Sequence, residues 1–264
     1  MENNTSKNII NIKKLFKYLF ITFSIVFIIR AFIIDSNYIS SGSMIPTLMS
    51  GDRIISSRFT YGLSIPFTNI KFFDFNEPER GDIIIFEPPT KEFSRKMGFN
   101  SPLNTRENFI KRAVAIGGDK IKMIDSILYI NDKEIKRTEK KELYSFKALK
   151  APYWINYTSY LHKETIGKHE IYSLDIIPYP QMAQHFGVNK FNKITYNKNN
   201  IINSYKIPKN MIFVIGDNRG DSEDSRFFGP IPLKNIKGSP LFIWYSSIDG
   251  KSLWNRVFTG FSER

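Results

Sequence analysis

The stretch FIKRAVAIGGDKIKMIDSILYINDKE, residues 109–134, carries the clearest fold signal in this chain. Phe109–Ile116, Lys120–Ile124 and Ile127–Ile130 are short runs rich in β-branched residues, and Gly117-Gly118-Asp119 separates the first two. Such runs suit a pleated, half-buried surface and read as strands when turn formers bound them. Ile130-Asn131-Asp132-Lys133 reads as a hairpin turn, because Asn and Asp tolerate the left-handed backbone of a tight turn. The same pattern recurs in Arg53–Ser57, Asp82–Phe86 and Met211–Ile215, set off by Gly, Pro, Asn and Asp. Helical periodicity is weak after residue 35. The expectation is a mostly β fold with an antiparallel, barrel-like core.

Upstream, Leu15 to Ile34 reads LFKYLFITFSIVFIIRAFII, twenty residues with charges only at Lys17 and Arg30. Twenty helical residues span roughly 30 Å, the hydrocarbon thickness of a bilayer, so one N-terminal transmembrane helix is expected. Lys7, Lys13, Lys14 and Lys17 against Glu2 put residues 1–14 in the cytoplasm and everything after about residue 35 outside. A cleaved leader would end in small residues at −3 and −1, whereas Asp35-Ser36-Asn37-Tyr38-Ile39 follows here, so the span reads as a permanent anchor. Residues 35–137 and 207–264 are expected to form the core. Residues 138–206, rich in Lys, Asn and Tyr and holding His162, His169 and His185, read as an inserted subdomain.

The chain has 264 residues, 38 Lys+Arg against 25 Asp+Glu, a formal charge of +13 and no cysteine. The absence of Cys excludes disulfides, a thiolate nucleophile and Cys-based zinc or iron–sulfur sites. Lysine is scattered rather than concentrated, and no zinc-finger or basic-zipper spacing occurs, so nucleic acid is not an expected partner. Gly250-Lys251-Ser252 is not a phosphate loop, since Tyr245 stands where the first glycine belongs.

Three segments carry chemistry. Ser41-Gly42-Ser43-Met44-Ile45-Pro46-Thr47-Leu48 can present a hydroxyl, which needs a base to act as nucleophile. No histidine lies in a comparable motif, and no Ser-x-x-Lys pattern occurs. A lysine stripped of water can serve instead, because desolvation lowers its pKa. In a strand, Lys111 faces opposite to Ile110 and Arg112, which fits either a buried base or a Lys-Arg pair on an edge. The third segment, Gly216-Asp217-Asn218-Arg219-Gly220-Asp221-Ser222-Glu223-Asp224-Ser225-Arg226-Phe227-Phe228-Gly229-Pro230, is loop chemistry after a strand. Its oxygens suit calcium, while Arg219 and Arg226 suit carboxylate pairing.

Together, in this order, the anchor and the segments Ser41–Leu48, Gly81–Phe86, Phe109–Asp119 and Gly216–Pro230 resemble type I signal peptidase, the bacterial leader peptidase of the Ser/Lys class. The resemblance implies Ser43 as nucleophile and Lys111 as general base. It implies an oxyanion hole from the Ser43 N–H and the Ser41 hydroxyl. Ser222 would orient the lysine, while Asp217 with Arg112 and Asp224 with Arg226 would brace the site. Ile39, Met44, Leu48 and Ile110 would form pockets for small residues at −3 and −1 of a signal peptide. No metal or other cofactor is implied. The expected partners are signal peptides of secretory preproteins and the lipid bilayer, and the expected location is the bacterial cytoplasmic (inner) membrane. Ser40 stands where the family usually has Pro. Phe59, Tyr61, Phe67, Phe72, Phe73 and Phe75 could dip into lipid or pack in the core. A self-cleaving relative of SOS repressors would need a DNA-binding helix pair in place of the apolar span. An anchored β domain that only binds peptide or lipid would have no use for both Ser43 and Lys111.

Overall fold

A computed structural model describes residues 4–64, 71–73, 76–99, 101, 103, 105, 107–124, 127–138, 142–150, 153–174 and 204–261. Helix α1 (Asn4–Phe32) opens the chain, and β1 (Ile34–Tyr38), β2 (Asp52–Ser57), β3 (Leu63–Ser64), β4 (Lys71–Phe73) and β5 (Ile83–Phe86) follow. After the short helix α2 (Lys91–Lys96) come β6 (Phe109–Ile116), β7 (Lys120–Ile124), β8 (Ile127–Ile130) and β9 (Lys133–Glu134). Next are β10 (Glu142–Lys150), β11 (Tyr153–Ile166), β12 (His169–Leu174), β13 (Tyr205–Lys206) and β14 (Met211–Ile215). Helix α3 (Ser225–Phe228), β15 (Ile231–Pro232), β16 (Ile236–Ile248) and β17 (Lys251–Ser252) complete the order.

The expected strands at β6, β7, β8 and β14 form residue for residue, and β2 and β5 differ by one residue at their starts. Asn131 and Asp132 adopt φ of 53° and 62°, the left-handed pair that the hairpin between β8 and β9 requires.

The main sheet runs β1-β2-β16-β5-β6-β14-β15, with β17 beside β16. It is an open half-barrel rather than a closed barrel, with β1 and β15 at its edges. The curl comes from β16, which pairs with both β2 and β5 and shifts register between Pro240 and Phe242 and between Ile243 and Tyr245. Each irregularity bends the strand and adds twist.

Packing covers both faces of the middle strands. Phe213 and Ile215 of β14 join one cluster with Val114, Ile121, Leu128 and Ile171, while Ile212 and Val214 join another with Ile84, Phe86, Ala113 and Phe228. A strand buried on both sides has no use for polar alternation, which is why MIFVI and AVAI are continuous apolar runs.

Helix α1 starts earlier and ends sooner than the expected 15–34 span, because Ile34 leaves it to pair with Ser57 in the sheet. Among the described residues, no helix is long and apolar enough to cross a membrane. Ile28, Ile29, Ala31 and Phe32 belong to the expected span, and their side chains lie outside the described residues. Of the aromatic group, Tyr61 is buried and donates to Asp82, whereas Phe59 and Phe73 are exposed. Phe67 and Phe75, and the side chain of Phe72, lie outside the described residues.

Within residues 138–206, β10, β11 and β12 form a separate three-stranded sheet, and residues 175–203, with His185, lie outside the described residues. Phe146, Ala148 and Leu174 of this sheet pack on Ile45, Met49 and Ile248. Near the C-terminus, Arg256 forks onto the fully buried Asp52, with Nη2–Oδ2 at 2.6 Å, and also donates to the Thr47 carbonyl at 3.2 Å. Removing one partner of such a pair leaves a buried charge without compensation. Arg256→Ala is therefore expected to lower stability by roughly 3 kcal/mol, and a thermal melt lowered by several degrees checks it.

Candidate active site

Ser43 sits in the turn between β1 and β2, and Lys111 lies on β6. Their side chains meet: Lys111 Nζ is 2.6 Å from Ser43 Oγ, across 68 positions of sequence. Both are buried, at 4% exposure for Lys111 and 7% for Ser43. The lysine amine also donates to the Ile110 carbonyl at 3.1 Å and lies 5.4 Å from the Phe109 ring centroid.

Burial pushes the Lys111 ammonium down from 10.5 to about 8. The carboxylates of Asp224, Glu223 and Asp217 pull it back up, and Arg226 adds to the lowering. None of these acids forms an ion pair with Lys111 among the described residues, because two of them are held by arginines. Arg112 forks onto Asp217, with Nε–Oδ1 at 2.8 Å and Nη2–Oδ2 at 2.7 Å, and donates to the Gly81 carbonyl through Nη1. Arg226 forks onto Asp224 with two contacts of 2.8 Å. Burial alone would raise the Asp224 carboxyl. The Arg226 guanidinium, the Gly216 N–H and the Ser222 hydroxyl together hold it below the usual range.

Period-2 geometry on β6 explains the arrangement. Lys111 and Arg112 are both buried, yet they point to opposite faces, so one basic group meets a hydroxyl and the other a carboxylate. An edge-strand surface pair is ruled out at this position, since β6 lies between β5 and β14.

Ser41 Oγ lies 3.3 Å from Ser43 Oγ, and the Ser43 N–H has no hydrogen-bond partner among the described residues. Ser222 is placed differently from the expectation: its hydroxyl donates to Asp224 Oδ2 at 2.7 Å and makes no hydrogen bond to Lys111 among the described residues. Met44 and Leu48 are fully buried and cluster with Ile39, Ile54, Ile83 and Ile243, while the partly buried Ile110 packs against that cluster. They therefore pack in the core rather than line an open rim.

Sequence reasoning missed two contributors. Asn218 N–H donates to the Ser43 carbonyl at 3.1 Å, and its side-chain amide donates to the Gly42 carbonyl at 3.0 Å. Thr47 donates to Asp217 Oδ2 at 2.5 Å. Both act on partners distant in sequence, and nothing local marks them.

Residues 12–245 match the family described as signal peptidase, peptidase S26. The chain belongs to that family. It is 32% identical over 250 residues to signal peptidase I of Buchnera aphidicola subsp. Baizongia pistaciae, covering 87% of this chain and 76% of that protein. It is 31% identical over 258 residues to signal peptidase I of Rickettsia typhi, covering 94% and 85%. A solved signal peptidase I from Enterococcus faecalis V583 aligns with 63% of this chain and 98% of its own at 22% identity and a TM-score of 0.30. As a signal peptidase I enzyme of peptidase family S26, it is a hydrolase that cleaves signal peptides from preproteins by serine-protease chemistry.

In this signal peptidase the loop after β14 approaches the Ser43 turn so closely that only hydrogen fits between them. A Cβ added at Gly216 would lie 2.4 Å from the Ser43 carbonyl oxygen and 2.3 Å from Ser222 Oγ. Gly216→Ala is expected to displace Ser43 and lower kcat on the order of 100-fold while the protein still folds. Steady-state cleavage with circular dichroism as the folding control checks it.

Proposed function

We propose that Ser43 is the nucleophile and Lys111 the general base of signal-peptide cleavage. The observation that carries this is the 2.6 Å contact between a buried lysine amine and a serine hydroxyl. In its neutral form the amine accepts the Ser43 proton as Oγ attacks the scissile carbonyl carbon. The oxyanion of the tetrahedral intermediate meets the Ser43 N–H and the Ser41 hydroxyl. Losing one such donor typically costs about 3 kcal/mol of barrier. The resulting ammonium then gives its proton to the leaving amine as the C–N bond breaks. Lys111 next takes a proton from water, which attacks the acyl ester and releases Ser43.

Arg112 with Asp217, and Asp224 with Arg226, act as braces. Ser222 contributes by fixing Asp224. Ile39, Met44, Leu48 and Ile110 back the pockets that accept small side chains at −3 and −1.

The bilayer is the second partner in this reading. Helix α1 spans 29 residues, roughly 43 Å, and exposes Phe16, Phe20 and Phe23 at 67%, 73% and 70%. Lipid around residues 15–34 relieves that exposure, with residues 1–14 in the cytoplasm and the catalytic core, residues 35–137 and 207–264, outside the bacterial cytoplasmic membrane. Residues 138–206 form the inserted subdomain. No nucleic acid partner is proposed.

Below a pH of about 8 the amine is mostly protonated and cannot act as base. Cleavage of a preprotein with an Ala-x-Ala site in detergent is therefore expected to give kcat/KM falling about tenfold per unit as pH drops below that value. Ser43→Ala and Lys111→Ala are expected to lose at least about 1,000-fold, and Lys111→Arg to stay inactive at all pH because guanidinium keeps its proton. Turnover by Lys111→Arg, or a flat profile from about pH 6 to 9, would remove lysine from the role of base.

A further inference from the structure

The three-stranded sheet within residues 138–206 is fastened to the catalytic loop by a buried ion pair that the reaction as described leaves unused. Arg219, one residue beyond Asn218, forks onto Glu164 of β11, with Nη2–Oε2 at 2.5 Å and Nη1–Oε1 at 3.2 Å. Arg219 and Glu164 are 5% and 3% exposed. Ser173 of β12 donates to Glu164 Oε1 at 2.8 Å, so the carboxylate is held from its own sheet as well.

Backbone bonds run beside this pair. Leu174 N–H donates to the Asp217 carbonyl at 2.8 Å, and Arg219 N–H donates to the Leu174 carbonyl at 3.0 Å. Asp217 and Arg219 are thus held from the sheet, with Asn218 between them, and Asp217 and Asn218 reach the residues around Ser43 and Lys111. Asp217 holds Arg112, next to Lys111, and Asn218 holds the Ser43 and Gly42 carbonyls.

We infer that Glu164 is a positioning residue for cleavage, acting through Arg219 and Asn218 to set where Ser43 Oγ stands against Lys111. The inference rests on the assignment of Ser43 and Lys111 as the reacting pair. A buried carboxylate is a costly way to hold a loop, because taking both charges out of water offsets much of their attraction. What it supplies is direction: a two-point fork fixes the angle of approach as well as the distance. Errors of about 1 Å in a reacting group cost on the order of 100-fold in rate, so a remote fork can matter to chemistry without touching substrate.

On β11 the neighbouring Lys163 points to the opposite face and pairs with Glu170 at the surface, which makes Lys163→Ala the matched control. The test is steady-state cleavage of a preprotein by the full chain in detergent. Wild type, Ser43→Ala, Lys163→Ala, Glu164→Ala, Glu164→Gln, Arg219→Ala, Asn218→Ala and the Glu164→Ala/Asn218→Ala double variant are compared well below their melting temperatures. Glu164→Ala and Arg219→Ala are expected to lower kcat on the order of 10- to 100-fold with KM within about twofold. Glu164→Gln keeps the shape and the Ser173 bond, so it is expected to fold as wild type and lose several-fold in kcat. The double variant is expected to be no slower than Asn218→Ala alone, since both changes release the same carbonyl.

Wild-type kcat in folded Glu164→Gln and Arg219→Ala would overturn the inference, as would losses that multiply in the double variant. Cleavage surviving in Ser43→Ala would instead overturn the assignment of the nucleophile. An inactive Ser43→Ala beside fully active Glu164 variants separates the two failures.

Discussion

Burial of the Lys111 amine against Ser43 governs how the charges around it are arranged. Moving its ammonium from 10.5 to about 8 corresponds to on the order of 3 kcal/mol of opposition to folding near neutral pH. That opposition is complete below the folded value and disappears as pH passes the unfolded one. The surrounding acids limit the loss without abolishing it. Arg112 and Arg226 occupy two of the three carboxylates, so Lys111 is spared a close ion pair that would hold its proton. An amine that titrates near neutral pH, as the proposed base requires, is the product of this balance between burial and distant negative charge.

Placing Ser43 against Lys111 requires three chain segments to converge. The sheet supplies the coarse placement, because β6 lies between β5 and β14 and the Ser43 turn joins β1 to β2. Fine placement comes from side chains reaching across segments: Asn218 to the Ser43 and Gly42 carbonyls, Thr47 to Asp217, and Arg256 to Asp52 and the Thr47 carbonyl. Gly216 permits the contact by having no Cβ. Forked arginine contacts recur at Asp217, Asp224, Asp52 and Glu164, and each fixes orientation in a place where a loop alone would leave it free.

What could be read from the sequence follows the range of the signals. Strands β6 to β8 and the Asn131-Asp132 turn were legible because each is declared by its own residues. The opposite faces of Lys111 and Arg112 follow from strand period alone. The roles of Ser43 and Lys111 came from family resemblance, and the geometry brings those two side chains together. Strand β16 was not legible, since Gly238 and Pro240 read as breakers while its partners tolerate register shifts there. The long strands β10 and β11 mix Lys, Asn and Tyr with apolar residues and lack clean alternation. Asn218 and the Glu164–Arg219 pair depend on contacts across 176 and 55 positions, which no local pattern announces. Ser222 took a nearer acceptor, Asp224, two residues away.

An NMR titration of the Lys111 side chain in the folded, detergent-solubilised Ser43→Ala variant, with Lys111→Met used to assign the resonance, reads how far burial lowers this amine. A transition near pH 8, well below that of the surface lysines, is the predicted result. A transition above about pH 10, with the remaining lysines, would contradict it, because a lysine that keeps its proton cannot take one from Ser43.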